Sequence, residues 1–126
     1  MKKMWFAFIF ALCVSGMSMA HADVKIIVHG DTVTFDTSGF PPSMQKAYEL
    51  MLVKCNQCHT IERIVASVQT GVCPLSKTTF SKETTKSLVT RMYLKDGSNM
   101  TREDARSIIL LLNYLLDQKV TVVEKK

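Results

Sequence analysis

Residues 43–62 read SMQKAYELMLVKCNQCHTIE, and this stretch organises everything around it. Met44, Ala47, Tyr48, Met51, Leu52 and Cys55 recur at intervals of three and four, the period of one helix face. Ser43 stands where a helix N-cap is expected. The pattern predicts an amphipathic helix that carries two cysteines, Cys55 and Cys58, at its C-terminal end, with His59 directly after the second.

Toward the N-terminus the chain changes character. Lys2 and Lys3 precede an apolar run over residues 4–14, and small residues lead to Ala20-His21-Ala22. A basic segment, an apolar segment and an A-x-A site in that order predict a cleavable signal peptide over residues 1–22, and hence export to the periplasm. The apolar run is too short to span a bilayer with margin, so no membrane span is expected in the mature form. Leu12 before Cys13 does not resemble a lipoprotein site, so no lipid anchor is expected. Without Lys2 and Lys3, the 16 basic residues become 14, against 11 acidic ones. Such mild, scattered basicity is not a nucleic-acid footprint, which needs clustering. Three cysteines remain in an oxidising compartment, an odd number that calls for an explanation.

Residues 24–35, VKIIVHGDTVTF, read as two β-rich runs around His29-Gly30-Asp31, a short hairpin. Two strands alone are marginal, so they must pack on something else. A turn-rich linker follows to Pro42. Residues 60–80 contain Gly71, Pro74 and many Thr and Ser, and are expected to form a long loop with at most a helical turn. Ser81 caps a second helix running to about Lys95, with Gly97 near its end. Thr101 with Asp104 three positions on resembles a capping box for a third helix, whose apolar face is Ala105, Ile108, Ile109, Leu112, Leu115 and Leu116. The expected fold is therefore mainly α: a small helical domain over residues 43–126, preceded by a β-hairpin and linker over residues 23–42. So small a core has room for a prosthetic group and some need of one.

Three chemistries compete for Cys55, Cys58 and His59. A dithiol redox site places a low-pKa thiol at a helix N-terminus, whereas these cysteines fall at a C-terminus. A structural zinc needs four ligands, and His59 is awkwardly placed beside Cys58 to share a tetrahedron with Cys55 and Cys73. In covalent haem attachment two thiols add to the two porphyrin vinyl groups, and the neighbouring imidazole binds iron; C-x-x-C-H is the pattern for it. That reading is preferred, with one haem c per chain. Nothing resembles an activated serine, a carboxylate pair or a phosphate loop, so no enzyme activity is expected.

The stretch 54–62, KCNQCHTIE, resembles the haem-binding segment of class I cytochromes c. Ala47 and Met51 stand where that family has a small residue and an aromatic one. Residues 70–75, TGVCPL, are similar to a T-G-P-x-L segment of the family with two residues inserted, which implies that Pro74 orients the proximal histidine through its carbonyl. The resemblance covers roughly residues 43–118; the hairpin lies outside it.

With His59 as proximal ligand, the second axial ligand decides between electron transfer and ligand binding. Met44 and Met51 lie on the haem-carrying helix and are expected to pack the core. His29 reads as a solvated turn residue. Met92 lies in Val89-Thr90-Arg91-Met92, similar to a V-x-R-M helix of small single-haem cytochromes in which that methionine is the ligand, and it is the first choice. Met100, at the residue before the Thr101 cap, is the alternative. Arg63 and Arg91 are candidates for pairing with haem propionates. Cys73 reads as a buried small hydrophobe, with an intermolecular disulfide as the alternative. The expected function is one-electron transfer between redox partner proteins. A haem-based gas sensor, and a haem subunit docked into a larger respiratory complex through the hairpin, are the competing readings.

Overall fold

A computed structural model describes residues 23–124. The expected signal peptide lies outside the described residues. Among those described, the chain runs β1 (Val24–His29), β2 (Thr32–Asp36), α1 (Pro42–Cys55), α2 (Ile61–Thr70), α3 (Lys82–Tyr93), α4 (Arg102–Asp117) and β3 (Val120–Glu124).

This is a mixed α and β fold, and it corrects the expectation of a mainly α domain behind a separate hairpin. Two elements make the difference. The first is β3. Its sequence VTVVE is dense in β-branched residues, which favour a pleated surface. It pairs parallel with β1, Val24 opposite Val120 and Ile26 opposite Val122, while β2 pairs antiparallel on the other side, Ile26 opposite Phe35. The sheet order is β2-β1-β3, so β1 is the centre of a three-stranded sheet. A parallel pair needs a long crossover. Here the crossover includes the whole helical body, which lies between β1 and β3 in the chain. The marginal hairpin is thus completed by the far end of the sequence.

The second is α2, ten residues inside the segment expected to be a loop. Ile61, Val65 and Val68 form a buried stripe at helical spacing. The surrounding Thr, Ser and β-branched residues are weak helix formers, which hid that stripe. Tertiary burial against β2 outweighs the propensity. Gly71 ends the helix in the left-handed region at φ 70°, with its N–H donating to the Ser67 carbonyl at 2.9 Å. The Glu62 carboxylate accepts from Thr60 and from the Val33 backbone, which hold its pKa below the usual carboxylate range and tie the start of α2 to β2.

Two expected caps are present. Ser81 Oγ accepts from the Thr84 N–H at 3.2 Å. Thr101 and Asp104 form a reciprocal capping box: Asp104 N–H donates to Thr101 Oγ1 at 3.0 Å, and Thr101 N–H to Asp104 Oδ2 at 2.9 Å. At α1 the helix begins earlier than expected. Pro42 is its first residue, a position where its missing N–H is no loss, and Ser43 lies inside the first turn. Both α1 and α3 pack on α4, whose Ile108, Leu111 and Leu115 are fully buried.

Candidate haem-binding cleft

Helix α1 stops at Cys55, and the chain turns tightly there. The Cys58 and His59 N–H groups both donate to the Cys55 carbonyl, at 3.3 and 3.4 Å. Cys55 is therefore the last helical residue and is buried. Cys58 lies exposed in the turn, and His59 is half-buried just before α2. The turn gathers the two thiols and the imidazole at one end of α1.

A cavity of about 480 Å³ opens beside this turn. Cys55, His59 and Met51 line it, as do Met92, Leu88 and Val89 of α3. Ile64 of α2 and Leu112 of α4 contribute further wall. A second cavity of about 210 Å³ lies against Cys58 and Met100, and it shares Cys55, His59, Met92 and Lys95 with the first. Of the residues singled out from the sequence, Cys55, His59, Pro74 and Met92 border the larger space, and Cys58 and Met100 the smaller. His29 does not join them: it is exposed at the end of β1, and neither cavity is lined by it. Met44 packs against the core, as expected, whereas Met51 is fully buried and also lines the larger cavity.

The larger cavity is apolar inside. Two of its three wall hydroxyls are turned to backbone: Ser67 Oγ donates to the Arg63 carbonyl at 2.8 Å, and Thr85 Oγ1 to the Lys82 carbonyl at 2.8 Å; the third, Ser76 Oγ, lies 2.7 Å from Thr78 Oγ1. Charge sits on Arg63, Arg91 and Lys95, which line the same cavity and are exposed. Among the described residues none of the three has an ion pair. An apolar cleft edged by unpaired cations suits a large apolar ligand that carries anionic groups.

The cysteine chemistry separates the competing readings. Burial, and secondarily the nearby Cys58, push the Cys55 thiol up to about 11. A dithiol redox site needs a readily formed thiolate, so this environment works against it. Among the described residues, no three His, Cys, Asp or Glu side chains group so as to hold a metal ion. Covalent haem attachment asks less of these side chains, since thiols bond to carbon and one imidazole supplies a metal ligand.

Cys73 is buried and lines the larger cavity, as its reading as a small hydrophobe requires. Its loop is closed by a bridge between Val72 and Thr79, and its N–H donates to the Thr78 carbonyl at 2.8 Å. Pro74 lies beside it. His59 Nδ1 is 3.5 Å from the Thr60 carbonyl, an acceptor that its neighbour supplies. The lining residues that sequence reasoning missed include Ile64 and Ser67 of α2, Ser76 and Phe80 of the following loop, and Thr85 of α3. The stripe Ile61, Val65 and Val68 was the available signal for α2, since it fixes the helix that presents Ile64.

No family model matches the chain, and neither a curated protein nor a solved structure does.

Proposed function

We propose that the protein is an exported carrier of one electron with a single covalently bound haem c. One observation supports this reading: the smaller cavity is lined by Cys55, Cys58 and His59 at the end of α1 and by Met92 on α3, and it shares Cys55, His59 and Met92 with the larger one. The donor set fits the group. Two thiols at C-x-x-C spacing match two vinyl carbons, an imidazole follows at once, and a thioether lines the same space. Haem, when bound, supplies a one-electron couple at its iron.

The chain's own residues have distinct tasks. Cys55 and Cys58 would hold the porphyrin as thioethers, and His59 would bind its iron, with Met92, in preference to Met100, as the second iron-binding side chain. Pro74 contributes wall to the larger cavity that His59 also lines. The apolar lining from Met51, Leu88 and Leu112 excludes water and lowers the local dielectric, which favours the less charged state of the couple. Arg63, Arg91 and Lys95 receive the propionates. A filled distal position suits electron transfer with little rearrangement and leaves no open site for a substrate, so the role is that of a carrier between redox proteins and not of an enzyme. Among the described residues no helix is long and apolar enough to cross a membrane. Of the hairpin invoked by the docked-subunit reading, β1 is the sheet's central strand and β2 an edge.

The test is an intact mass after acid–acetone extraction, together with optical spectra of the oxidised and reduced protein. A retained mass of one haem, and a weak sulfur-to-iron band in the oxidised form, are expected. Release of the haem on denaturation rejects covalent attachment. Carbon monoxide binding at once to the reduced form, with no sulfur band, replaces the carrier by a gas-binding module.

A further inference from the structure

Lys54, directly before the first cysteine of the C-x-x-C-H motif, does more than end a helix. It stands in the last turn of α1, where a cation is favoured by the helix dipole. Its ammonium group reaches across to the loop between α3 and α4. There it donates to the Asn99 carbonyl and lies 3.7 Å from Asp104 Oδ2. Asn99 is in the left-handed region at φ 49°, a conformation few side chains adopt readily. Asp104 is the same carboxylate that accepts the Thr101 N–H in the capping box. One lysine therefore grips both the loop and the start of α4. Within the loop, Ser98 Oγ donates to the Tyr93 carbonyl at 3.1 Å and accepts from the Met100 N–H at 3.4 Å. Met92, two residues before the loop, and Met100, inside it, line the smaller cavity together with Lys54, Cys58 and His59.

We infer that Lys54 is a positioning residue that fixes residues 94–101 against the cysteine turn and thereby holds the methionine side of the cleft in register with His59. The attachment helix and the distal segment are joined by this grip at the edge of the site. The ion pair is only about one-fifth exposed, so solvent weakens it less than a surface pair. The inference rests on the haem reading for its consequence at iron, but not for the grip itself.

The experiment compares the full-length matured wild type with Lys54→Met and Lys54→Arg, by amide hydrogen exchange over residues 94–101 and by carbon monoxide binding to the reduced protein. In Lys54→Met, exchange at Ser98 and Met100 is expected to speed up roughly threefold to fivefold, the scale of one partly exposed ion pair, with the interior of α4 unchanged. Carbon monoxide binding is expected to speed up by a similar factor, and Lys54→Arg to restore much of both. Unchanged loop exchange overturns the inference. So does a rise in exchange spread evenly through α4, which marks a general loss of stability. Faster loop exchange with unchanged carbon monoxide binding also overturns the link to the distal ligand. If the intact mass shows no haem, the functional reading fails by itself, while the exchange measurement still decides whether Lys54 holds the loop.

Discussion

The two ends of α1 are packed in opposite ways. Its N-terminal half is sealed by aromatic contacts: Tyr48 meets Phe35 and Phe40 edge-on, with ring centroids 6.1 and 6.3 Å apart, and Phe40 meets Tyr114 at 5.4 Å. Burial there raises the Tyr48 pKa, with a Phe35 backbone hydrogen bond acting the other way. Its C-terminal half, four residues past Met51, ends beside a cavity of about 480 Å³. Interiors normally pack close to crystal density, so an apolar space of that size is costly unless something fills it. The sheet end has a cleft too, of about 340 Å³ beside Phe40 and Tyr114, but Asp23, Lys25, Asp36 and Ser38 also line it, so it is polar where the cavity at the cysteine end is apolar. On the reading proposed above, the group that fills the space at the cysteine end is haem.

The largest test of that contrast removes an attachment point. Cys55→Ala or Cys58→Ala is expected to abolish or sharply reduce the matured, haem-retaining form on a denaturing gel stained for haem. The sheet end is expected to keep its near-ultraviolet aromatic circular dichroism if any folded protein accumulates. Equal loss of both signals refutes the idea that the two ends differ in what completes them.

Next in size is the distal ligand. Met92→Ala is expected to remove the sulfur-to-iron band, lower the reduction potential and open the iron to carbon monoxide. Met100→Ala is expected to keep the band and cost mainly stability, about 1 kcal/mol in urea titration, as the loss of a residue packed at a helix start. The opposite pattern exchanges the two assignments and leaves the carrier function intact.

At the sealed end, Phe40→Ala is expected to destabilise by about 3–5 kcal/mol, the usual cost of deleting a buried aromatic. Its haem spectrum is expected to stay unchanged below the unfolding transition. A shifted spectrum would show that the ends communicate.

A smaller effect belongs to the start of α4. Thr101→Ala is expected to cost about 1 kcal/mol by thermal or urea unfolding. The Asp104 carboxyl is held below its ordinary value, first by the Thr101 backbone N–H and also by Lys54. Its stabilisation is thus present above the unfolded pKa, about 3.9, and is lost as pH falls through the lower folded value. Asp104→Asn is expected to flatten that part of the acid stability profile. An unchanged profile removes Asp104 from the acid response. Smallest of all, Val123→Thr on the exposed side of β3 is expected to change stability by less than about 0.5 kcal/mol.

Much of this was legible residue by residue. The face Ala47, Tyr48, Met51 and Cys55 is buried as its spacing implied. Ser81 and the Thr101–Asp104 box mark helix starts because their side chains satisfy N–H groups a few positions away, an interaction local enough to be read from the chain. The spacing of Cys55, Cys58 and His59 is equally local, since one turn of backbone fixes it. What required the tertiary structure was every pairing across long separation. Residues 120–124 carry a strand-like sequence, but only docking beside Val24 and Ile26 makes them part of the sheet. Residues 61–70 have weak intrinsic helix preference, and burial of Val65 and Val68 outweighs it. Met92 and His59 line one space because α1 and α3 both pack on α4, and Lys54 reaches Asn99 for the same reason. Local hydrogen bonding and periodicity are written in neighbouring residues. Contact between distant segments depends on the free energy of burying them together, which no single stretch contains.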